Sequence, residues 1–501
     1  MTLLPEVKEY YGKIQNYIDG TWVDSSSEQI LSIINPATAG VIGEVPLSTA
    51  LEVETAIQAA KRAFPAWSAT PPMQRVQYFY KLKDLMEKRF EDLARTIVQE
   101  EGKAVDEARG EIRRAIESVE VACGIPMLMM GRNLEDINRG IDEYEVRQPL
   151  GVFCSVSPFN FPGMIPYWFM PNAVACGNTF IVKPSEQVPL TQNLAFQLIA
   201  EAGFPPGVIN LINGGKGVVD NLLDSPDVQG ISFVGSTPVA KAIYSKASAN
   251  GKRAQCQAGA KNFLVVMPDA DLDLTVDALI NSCFGSSGQR CLAGSVIIAV
   301  GEIGDPLRAR FLDAASKLTL GYGLDEEINL GPVISRDHVE RVHGYIEKGI
   351  SEGARLILDG RNPTVHNYPE GNFIGATVFD EVQPEMVIAN EEIFGPVASV
   401  IRVPNLGEAI SVIDSNHYGN SACIFTSSGG WAREFQHRVR CGNIGINVGV
   451  PAPVAPFPFS GMKDSFFGDL HGQGMDGINF FTERKVVITR WSTSSMGKGW
   501  G

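Results

Sequence analysis

Apolar strands alternate with helices through residues 151–249, and this alternation constrains the fold more than any other feature of the sequence. Residues 151–162 predict a buried strand that runs into a proline-rich turn, and a helix follows through residues 168–176. A second strand is predicted at Thr179–Lys183, which completes a βαβ unit with parallel strands. The pattern continues with a helix at Leu190–Ala202, a strand at 208–212, a short helix at 218–223, a strand at 230–234 and a helix at Thr237–Ala249. The sequence therefore predicts an α/β fold.

Polar side chains follow the predicted parallel strands. Asn160 comes after the first strand, and Lys183 and Glu186 come at the end of the second. Ligands of open α/β sheets bind beyond the carboxyl ends of the strands, so these side chains are expected at a ligand site. Ser236 caps a predicted helix just past a strand, where free backbone N–H groups can hold a pyrophosphate. Such a capped turn is, on its own, more often structural.

The flanking segments predict further elements. Asp19-Gly20 lies between two short β-prone runs and predicts a hairpin, and residues 30–36 predict another strand. Helical periodicity covers residues 49–130 and is broken at Pro71-Pro72, whereas the polar residues 133–148 favour a β-ribbon. A second α/β unit is predicted from about residue 252. The alternating residues 477–488 predict a strand near the end of the chain.

A loop of small residues leads to a thiol at Cys291. Gly285, Ser286, Ser287 and Gly288 allow a backbone to come close to a ligand, and Arg290 stands next to the cysteine. A neighbouring cation lowers the pKa of a thiol and raises the fraction of nucleophilic thiolate. The loop therefore favours a nucleophile, and the alternative is a buried structural cysteine in a tight turn.

Composition excludes several classes of protein. The 501 residues are 44% hydrophobic and 20% charged, which suits two or three domains, and the net charge of -15 argues against nucleic-acid binding. No apolar run approaches the roughly 18 residues of a membrane span. The eight cysteines lack metal-like spacing and the first residues lack a signal-peptide pattern, so we expect a cytoplasmic location and no metal site. The six dispersed histidines are predicted to be surface residues.

Five motifs occur in one order along the chain and together resemble the aldehyde dehydrogenase superfamily. They are Ser157-Pro-Phe-Asn-Phe-Pro162, Lys183-Pro-Ser-Glu186, Phe233-Val-Gly-Ser236, Gly288-Gln-Arg-Cys291 and Glu392-Ile-Phe-Gly-Pro396. Gly259-Ala-Lys-Asn262 and Ser465-Phe-Phe-Gly-Asp469 are similar to the CoA-acylating methylmalonate-semialdehyde dehydrogenase branch. The resemblance implies an aldehyde dehydrogenase-like fold. Its parts are a Rossmann-like NAD domain (1–130 and 149–256), an α/β catalytic domain (257–445) and an oligomerisation β-ribbon (131–148 and 475–492), in a homodimer or homotetramer.

The same resemblance implies roles for individual residues. Cys291 is the nucleophile, and the Asn160 amide and the Cys291 N–H stabilise the oxyanion. The residues implied to bind NAD are Ser157, Phe159, Lys183, Glu186, Gln187, Ser236, Ala258 and Glu392. The acid Glu186 favours NAD because it would repel a 2′-phosphate. Arg114 and Arg290 match arginines that hold a substrate carboxylate; alternatively, Arg290 only lowers the thiol pKa and Arg114 forms a structural ion pair.

Gln257 stands where hydrolytic relatives carry a general-base glutamate, and a glutamine cannot take a proton from water. The methylmalonate-semialdehyde branch usually has asparagine here, so Gln257 departs from both patterns. Three functions stay open. They are CoA-acylating oxidation of malonate or methylmalonate semialdehyde with loss of carbon dioxide, hydrolytic NAD-dependent aldehyde oxidation, and a non-catalytic NAD-binding structural protein.

Overall fold

The computed structural model describes residues 3–491, and its N-terminal part begins with two short antiparallel pairs of strands. Asp19 and Gly20 both have positive φ angles, of 54° and 78°, and connect the first pair as the predicted hairpin. The second pair contains the predicted strand near residue 30. The strands are β1 (Asn16–Ile18), β2 (Thr21–Val23), β3 (Ile30–Ile34) and β4 (Val41–Pro46).

A layer of helices follows, as the periodicity predicts. Thr49 and Glu52 form a capping box at its start, and the break at Pro71-Pro72 separates the first two helices. Gly102 ends the third helix with a φ of 102°, at a point where a Cβ would lie 2.8 Å from both Pro36 and Pro332. The helices are α1 (Ala50–Ala69), α2 (Pro72–Lys88), α3 (Phe90–Glu101), α4 (Val105–Cys123) and α5 (Ile125–Leu128).

An exposed ribbon then leads into the βαβ region. The ribbon consists of β5 (Asn133–Asn138) and β6 (Ile141–Pro149). The predicted alternation of buried strands and helices follows it and is confirmed. Its elements are β7 (Val152–Val156), α6 (Ile165–Ala175), β8 (Thr179–Lys183), α7 (Leu190–Ala202), β9 (Ile209–Leu211), α8 (Lys216–Asp224), β10 (Val228–Val234), α9 (Thr237–Ala249) and β11 (Arg253–Gln257).

The first large sheet has a reversal of strand order beside β7. Strands β9-β8-β7-β10-β11 are parallel neighbours in that order. The chain runs outward from β7 through β8 and β9, then returns to place β10 on the other side of β7. The crevice between the loops after β7 and β10 is the place where such sheets bind ligands.

The part of the chain that follows β11 forms a second α/β unit. Its elements are β12 (Asn262–Val266), α10 (Leu272–Phe284), β13 (Gly294–Val300), α11 (Gly304–Ala315), α12 (Arg336–Ser351), β14 (Arg355–Leu358), β15 (Thr377–Asp380), α13 (Val387–Asn390), β16 (Val397–Val403), α14 (Leu406–Ser415), β17 (Tyr418–Gly419), β18 (Ser421–Phe425), α15 (Gly429–Arg438) and β19 (Asn443–Ile446). The sheet order is β14-β15-β16-β13-β12-β18-β19, parallel except for β14.

The end of the chain differs from the prediction of one strand over residues 477–488. It contains β20 (Met462–Lys463), β21 (Phe466–Phe467), α16 (Gly474–Phe480) and β22 (Thr482–Arg490). The prediction was wrong for residues 477–481 because Phe480 and Phe481 are both buried, and successive residues of a half-buried strand would point to opposite faces. Strand β22 pairs with β6 in a three-stranded antiparallel sheet, and β21 pairs with β11 at the edge of the first sheet. Residue 492 of the predicted ribbon lies outside the described residues.

Apolar side chains from the helical layer and from both faces of the two large sheets form the core. No helix within residues 3–491 is long and apolar enough to cross a membrane.

Candidate active site

Two cavities meet at Cys291. The larger one, of about 1090 Å³, lies at the crevice between the loops after β7 and β10. The smaller one, of about 510 Å³, is bordered by α4, α6 and the segment after β19. Cys291 lines both cavities, so its sulfur is placed where ligands in the two cavities would come into contact.

Most of the residues predicted to bind a cofactor surround the larger cavity. They are Ser157, Phe159, Ser236, Ala258 and Glu392, and Asn160 also lines this cavity. The Ser157 N–H donates to the Lys183 carbonyl oxygen at 3.1 Å, which joins the ends of β7 and β8. Gln187 is exposed and is not among the lining residues, although its neighbour Ser185 is.

Lys183 and Glu186 form an ion pair at 2.8 Å beside the rim of the larger cavity. Burial tends to raise the pKa of Glu186, but the Lys183 ammonium outweighs it and lowers that pKa below its ordinary value. Glu186 is therefore a carboxylate at neutral pH and can accept hydrogen bonds.

Ser236 occupies the N-cap position of α9, but its hydroxyl makes no capping hydrogen bond. The prediction that this side chain caps the helix was therefore wrong. Pro238 near the start of the helix provides no N–H that needs capping. The exposed Ser236 hydroxyl faces the larger cavity instead.

Glu392 lies beside a tightly packed turn. Its Oε1 accepts a hydrogen bond from the Ala260 N–H at 2.9 Å, and a Cβ at Gly259 would lie 2.8 Å from its Oε2. Burial raises the pKa of Glu392 to about 7, against the opposing effects of the Ala260 N–H and the Lys261 ammonium. Glu392 thus changes charge near neutral pH.

The loop before Cys291 is held in a compact, strained conformation. Ser286 and Ser287 have φ angles of 48° and 53°, in the left-handed region that residues with a Cβ seldom adopt. A Cβ at Gly288 would lie 2.1 Å from the Gly395 carbonyl oxygen. Only glycine at 288 allows the cysteine loop to approach the loop that carries Glu392.

Two asparagines hold the backbone of the cysteine itself. The side-chain amides of Asn262 and Asn420 each donate to the Cys291 carbonyl oxygen at 2.8 Å. The two residues stand at the start of β12 and just before β18. The sequence did not indicate this function, because the pairing joins segments that are 29 and 129 residues from Cys291.

The thiol is not activated by its neighbour in sequence, and that prediction was wrong. Burial, helped by the Glu392 carboxylate, raises the pKa of Cys291 to about 11. The groups that act in the opposite direction are the Cys291 N–H, the Asn160 amide and the Lys103 ammonium. Arg290 instead donates to Glu107 at 2.8 Å and to Asn281 at 3.2 Å.

Asn160 is held at both ends. Its side-chain nitrogen donates to the Gln289 carbonyl oxygen at 2.8 Å, and its own carbonyl oxygen accepts from Lys103 at 2.7 Å. An amide nitrogen carries two hydrogens, so the second one is available to the Cys291 sulfur that it faces. The two donors predicted for an oxyanion, the Asn160 amide and the Cys291 N–H, therefore both face the thiol.

The smaller cavity combines an apolar wall with two guanidinium groups. Phe161, Trp168 and Phe459 form much of the wall, and Arg114 and Arg290 line it as well. Arg114 pairs with Glu117 at 2.9 Å, and its side chain is 39% exposed, so it can exchange that partner at little cost. The Arg290 side chain is 14% exposed and fixed by Glu107.

His338 differs from the predicted surface position. It lines the larger cavity, and its Nε2 lies 2.6 Å from the Phe394 carbonyl oxygen. Burial lowers the pKa of His338, so the ring is neutral near pH 7. It supports the Phe394 backbone, which has a φ of 63°.

Gln257 is buried at the end of β11, and backbone groups use both of its polar side-chain atoms. In the amide orientation that satisfies both atoms, the nitrogen donates to the Phe233 carbonyl oxygen at 3.1 Å. The oxygen accepts from the Gly472 N–H at 3.0 Å. The amide fixed in this way connects β10 to the loop before α16, whose Gln473 lines the smaller cavity.

A family model for the aldehyde dehydrogenase family matches residues 22–487, and the chain belongs to this enzyme family. A cysteine that lines two adjoining cavities agrees with that assignment. The chain is 49% identical to the malonate-semialdehyde dehydrogenase 1 of Geobacillus thermodenitrificans over 478 residues, 95% of this chain and 99% of that protein. The family is catalytic, so the structural-protein alternative is set aside.

Solved structures agree with the relatives in sequence. The methylmalonate-semialdehyde dehydrogenase of Oceanimonas doudoroffii is similar with a TM-score of 0.95 and 45% identity, covering 97% of this chain and 100% of that one. A putative methylmalonate-semialdehyde dehydrogenase of Sinorhizobium meliloti 1021, complexed with NAD, has a TM-score of 0.95 and 42% identity, covering 97% and 99%. The predicted aldehyde dehydrogenase fold is confirmed.

Proposed function

We propose that this enzyme oxidises malonate or methylmalonate semialdehyde, with NAD as hydride acceptor and coenzyme A as acyl acceptor. The observation that carries the proposal is the position of Cys291, between the larger cavity and a smaller cavity with two arginines. A substrate with an aldehyde at one end and a carboxylate at the other suits such a cavity, because guanidinium groups bind carboxylates. The names of the similar proteins support the same substrates.

The larger cavity suits NAD. It lies at the strand-order reversal of the first sheet, and the exposed Ser236 hydroxyl and the start of α9 face it, as a pyrophosphate requires. Lys183, Glu186 and Gln187 would hold the adenosine end, and Glu392 the nicotinamide ribose. Ser157, Phe159 and Ala258 would border the nicotinamide. Bound NAD would supply the acceptor for the hydride.

Acylation begins when the Cys291 thiolate adds to the aldehyde carbon and the carbonyl electron pair moves to oxygen. The Asn160 amide and the Cys291 N–H donate to this oxyanion; one such donor is worth about 10²–10³ in rate. Arg114 and Arg290 bind the substrate carboxylate and so orient the aldehyde toward the sulfur. When the carbonyl re-forms, the hydrogen leaves carbon as a hydride and a Cys291 thioester remains.

The thioester is then transferred to coenzyme A. Gln257 cannot deprotonate water, and its amide is held between the Phe233 carbonyl oxygen and the Gly472 N–H. The coenzyme A thiolate attacks the thioester carbonyl and Cys291 leaves as a thiolate. Carbon dioxide is lost when the pair of the carboxylate C–C bond moves into the polarised thioester. Protonation then gives acetyl-CoA or propionyl-CoA.

Steady-state assays separate this proposal from the hydrolytic alternative. We expect malonate semialdehyde and NAD to give a burst of one NADH per active site and then a stall. Addition of coenzyme A should start continuous turnover, with acetyl-CoA as the product. Steady NADH formation without coenzyme A, unchanged when it is added, would support hydrolysis by bound water.

The proposal extends to assembly and location. The three-stranded sheet of β5, β6 and β22 carries exposed Leu134, Ile137, Val486 and Ile488, which suits burial against a second copy in a homodimer or homotetramer. All eight cysteines are free, which suits a reducing cytoplasm. Light scattering of Val486→Lys with Ile488→Lys against the wild-type protein tests the assembly; an unchanged mass would contradict it.

A further inference from the structure

A fully buried group of ionisable side chains lies beneath the Asn160 turn. Lys103 follows α3, and Glu101 and Glu111 belong to α3 and α4. The side chains of all three are 0% exposed. Lys103 Nζ donates to Glu111 Oε2 at 2.7 Å and lies 3.7 Å from Glu101 Oε2. The proposed chemistry gives none of the three a function.

This group holds the Asn160 turn at both of its ends. The Lys103 ammonium donates to the Asn160 carbonyl oxygen at 2.7 Å and lies 4.2 Å from the centroid of the Phe161 ring. Glu111 Oε1 accepts from the N–H groups of Gly163 at 2.6 Å and Met164 at 3.1 Å. The turn that presents the Asn160 amide is therefore fixed by one ammonium–carboxylate pair.

Stability alone does not explain such a group. Burying an ion pair costs several kcal/mol per ion, and well-packed apolar side chains often replace one without loss of stability. The backbone beside this group is also packed closely against the loop between α11 and α12. A Cβ at Gly323 would lie 2.1 Å from the Lys103 carbonyl oxygen, and one at Gly331 would lie 2.0 Å from the Gly102 carbonyl oxygen. A charged, directional contact at this junction suits precise orientation of the turn.

We propose that Lys103 is a positioning residue for acylation, which holds the Asn160 turn so that the Asn160 amide faces the Cys291 sulfur. This inference rests on the proposed functions of Cys291 and Asn160. In the resting enzyme the amide is already bonded to the Gln289 carbonyl at 2.8 Å, so its second hydrogen reaches the sulfur only if the backbone of Asn160 is also fixed. Lys103 supplies that second anchor.

The electrostatic effect of Lys103 acts in the same direction. Burial alone would lower the pKa of Lys103, but Glu101, Glu111 and Glu107 outweigh it and raise that pKa, so the ammonium persists. Its charge is one of the influences that lower the Cys291 pKa, against burial and Glu392. Loss of the ammonium should therefore move thiol ionisation to higher pH.

The test compares Lys103→Met with Lys83→Met, which removes a lysine near Glu87 and Glu120 at the surface. The measurements are the rate of the NADH burst, the affinity for NAD, and the pH profile of Cys291 alkylation by iodoacetamide, followed by mass spectrometry. For folded Lys103→Met we expect a burst at least tenfold slower, an alkylation midpoint at higher pH, and NAD affinity within threefold of wild type. Lys83→Met should match wild type in all three.

A second variant covers the case in which Lys103→Met does not fold. Glu111→Gln keeps an oxygen that can accept from Gly163 and Met164 but removes a carboxylate that holds Lys103 as an ammonium, so Lys103 should lose its charge more easily and the alkylation midpoint should move to higher pH. A purely structural role would lower the denaturation midpoint of Lys103→Met and leave its burst and alkylation profile unchanged. The proposal is overturned if folded Lys103→Met has a burst rate and an alkylation pH profile within twofold of wild type. Where Lys103→Met fails to fold, an unchanged alkylation pH profile in Glu111→Gln overturns it.

The result is distinguishable from failure of the proposed function. If Cys291→Ala, with Lys103 intact, still gave an NADH burst, the nucleophile would be wrong whatever Lys103 does. If Cys291→Ala abolished the burst and Lys103→Met left it at the wild-type rate, only the positioning role would fail.

Discussion

The variant Gln257→Glu should release its thioester without coenzyme A, and should do so faster as pH rises. A carboxylate at this place can take a proton from water, which the amide cannot. The same carboxylate loses the hydrogen bond to the Phe233 carbonyl oxygen, because an ionised carboxylate has no donor. The bond from the Gly472 N–H is retained.

The cost of the lost bond can be estimated from the geometry. The wild-type nitrogen donates at 3.1 Å from a residue that is 3% exposed. Leaving such a buried acceptor unsatisfied costs about 1–3 kcal/mol, and repulsion between the two oxygens adds to it. A shift of one pKa unit corresponds to about 1.4 kcal/mol, so the new carboxyl should titrate about one to two units above its ordinary value.

The sign of the pH dependence follows from that shift. The protonated acid can donate to the Phe233 carbonyl and the ionised form cannot, so the folded-state pKa is raised above the unfolded one. The stability of the variant relative to wild type is then greatest below the unfolded pKa, and it falls as pH rises through the folded pKa. Hydrolysis without coenzyme A should rise over the same interval in which stability falls.

Single-turnover and steady-state NADH measurements from pH 5 to 8, with denaturant midpoints on the same samples, test both halves. The control Gln257→Met lacks both hydrogen bonds and supplies no base, so it separates lost bonds from gained base catalysis. A carboxylate near Cys291 can slow acylation, and burst rates report that step separately. The reasoning is refuted if, without coenzyme A, Gln257→Glu turns over no faster than Gln257→Met at any pH.

Three further predictions concern the thiol and its surroundings. Cys291→Ala should abolish NADH formation with NAD affinity near wild type by fluorescence titration; retained activity would contradict the nucleophile. Arg114→Gln should raise the KM for malonate semialdehyde about 10- to 100-fold, since a charge-assisted hydrogen bond is worth about 1.5–3 kcal/mol. The KM for an aldehyde without a carboxylate should not change, and an equal effect on both aldehydes would exclude carboxylate binding. Gly285→Ala should lower the free energy of unfolding by about 1–3 kcal/mol and slow Cys291 alkylation, because the new Cβ would lie 1.1 Å from Arg290 Nη2 and displace it from Glu107. A denaturation midpoint equal to that of wild type would show that the guanidinium is mobile.

Local patterns were sufficient to predict the parallel sheet, because strands buried on both faces are continuous apolar runs and leave little ambiguity. The same reasoning failed at residues 477–481. There, alternating polarity is shared by a short buried helix and a half-buried strand, and only the burial of both Phe480 and Phe481 distinguishes them.

The residue types and their loops were sufficient to predict that Cys291 and Asn160 belong to one candidate site, and the structure brings the two side chains together. The site was not predictable where the partner is distant in sequence. Arg290 adjoins the thiol along the chain, yet Glu107, 183 residues away, takes its guanidinium. Lys103 was missed for a similar reason. Its partner Asn160 is 57 residues away, and in the sequence Lys103 looks like an ordinary charged residue at the end of a helix.

The pairing of β21 with β11 has a consequence for biosynthesis. Phe466 and Phe467 lie against Gln257 and Cys256, so the first sheet gains its last strand only when residue 467 has been translated. Until then the nascent chain presents an open strand edge beside a finished parallel sheet, which is a template for pairing with another nascent chain. Premature termination before residue 466 should therefore yield aggregation rather than a shorter folded enzyme.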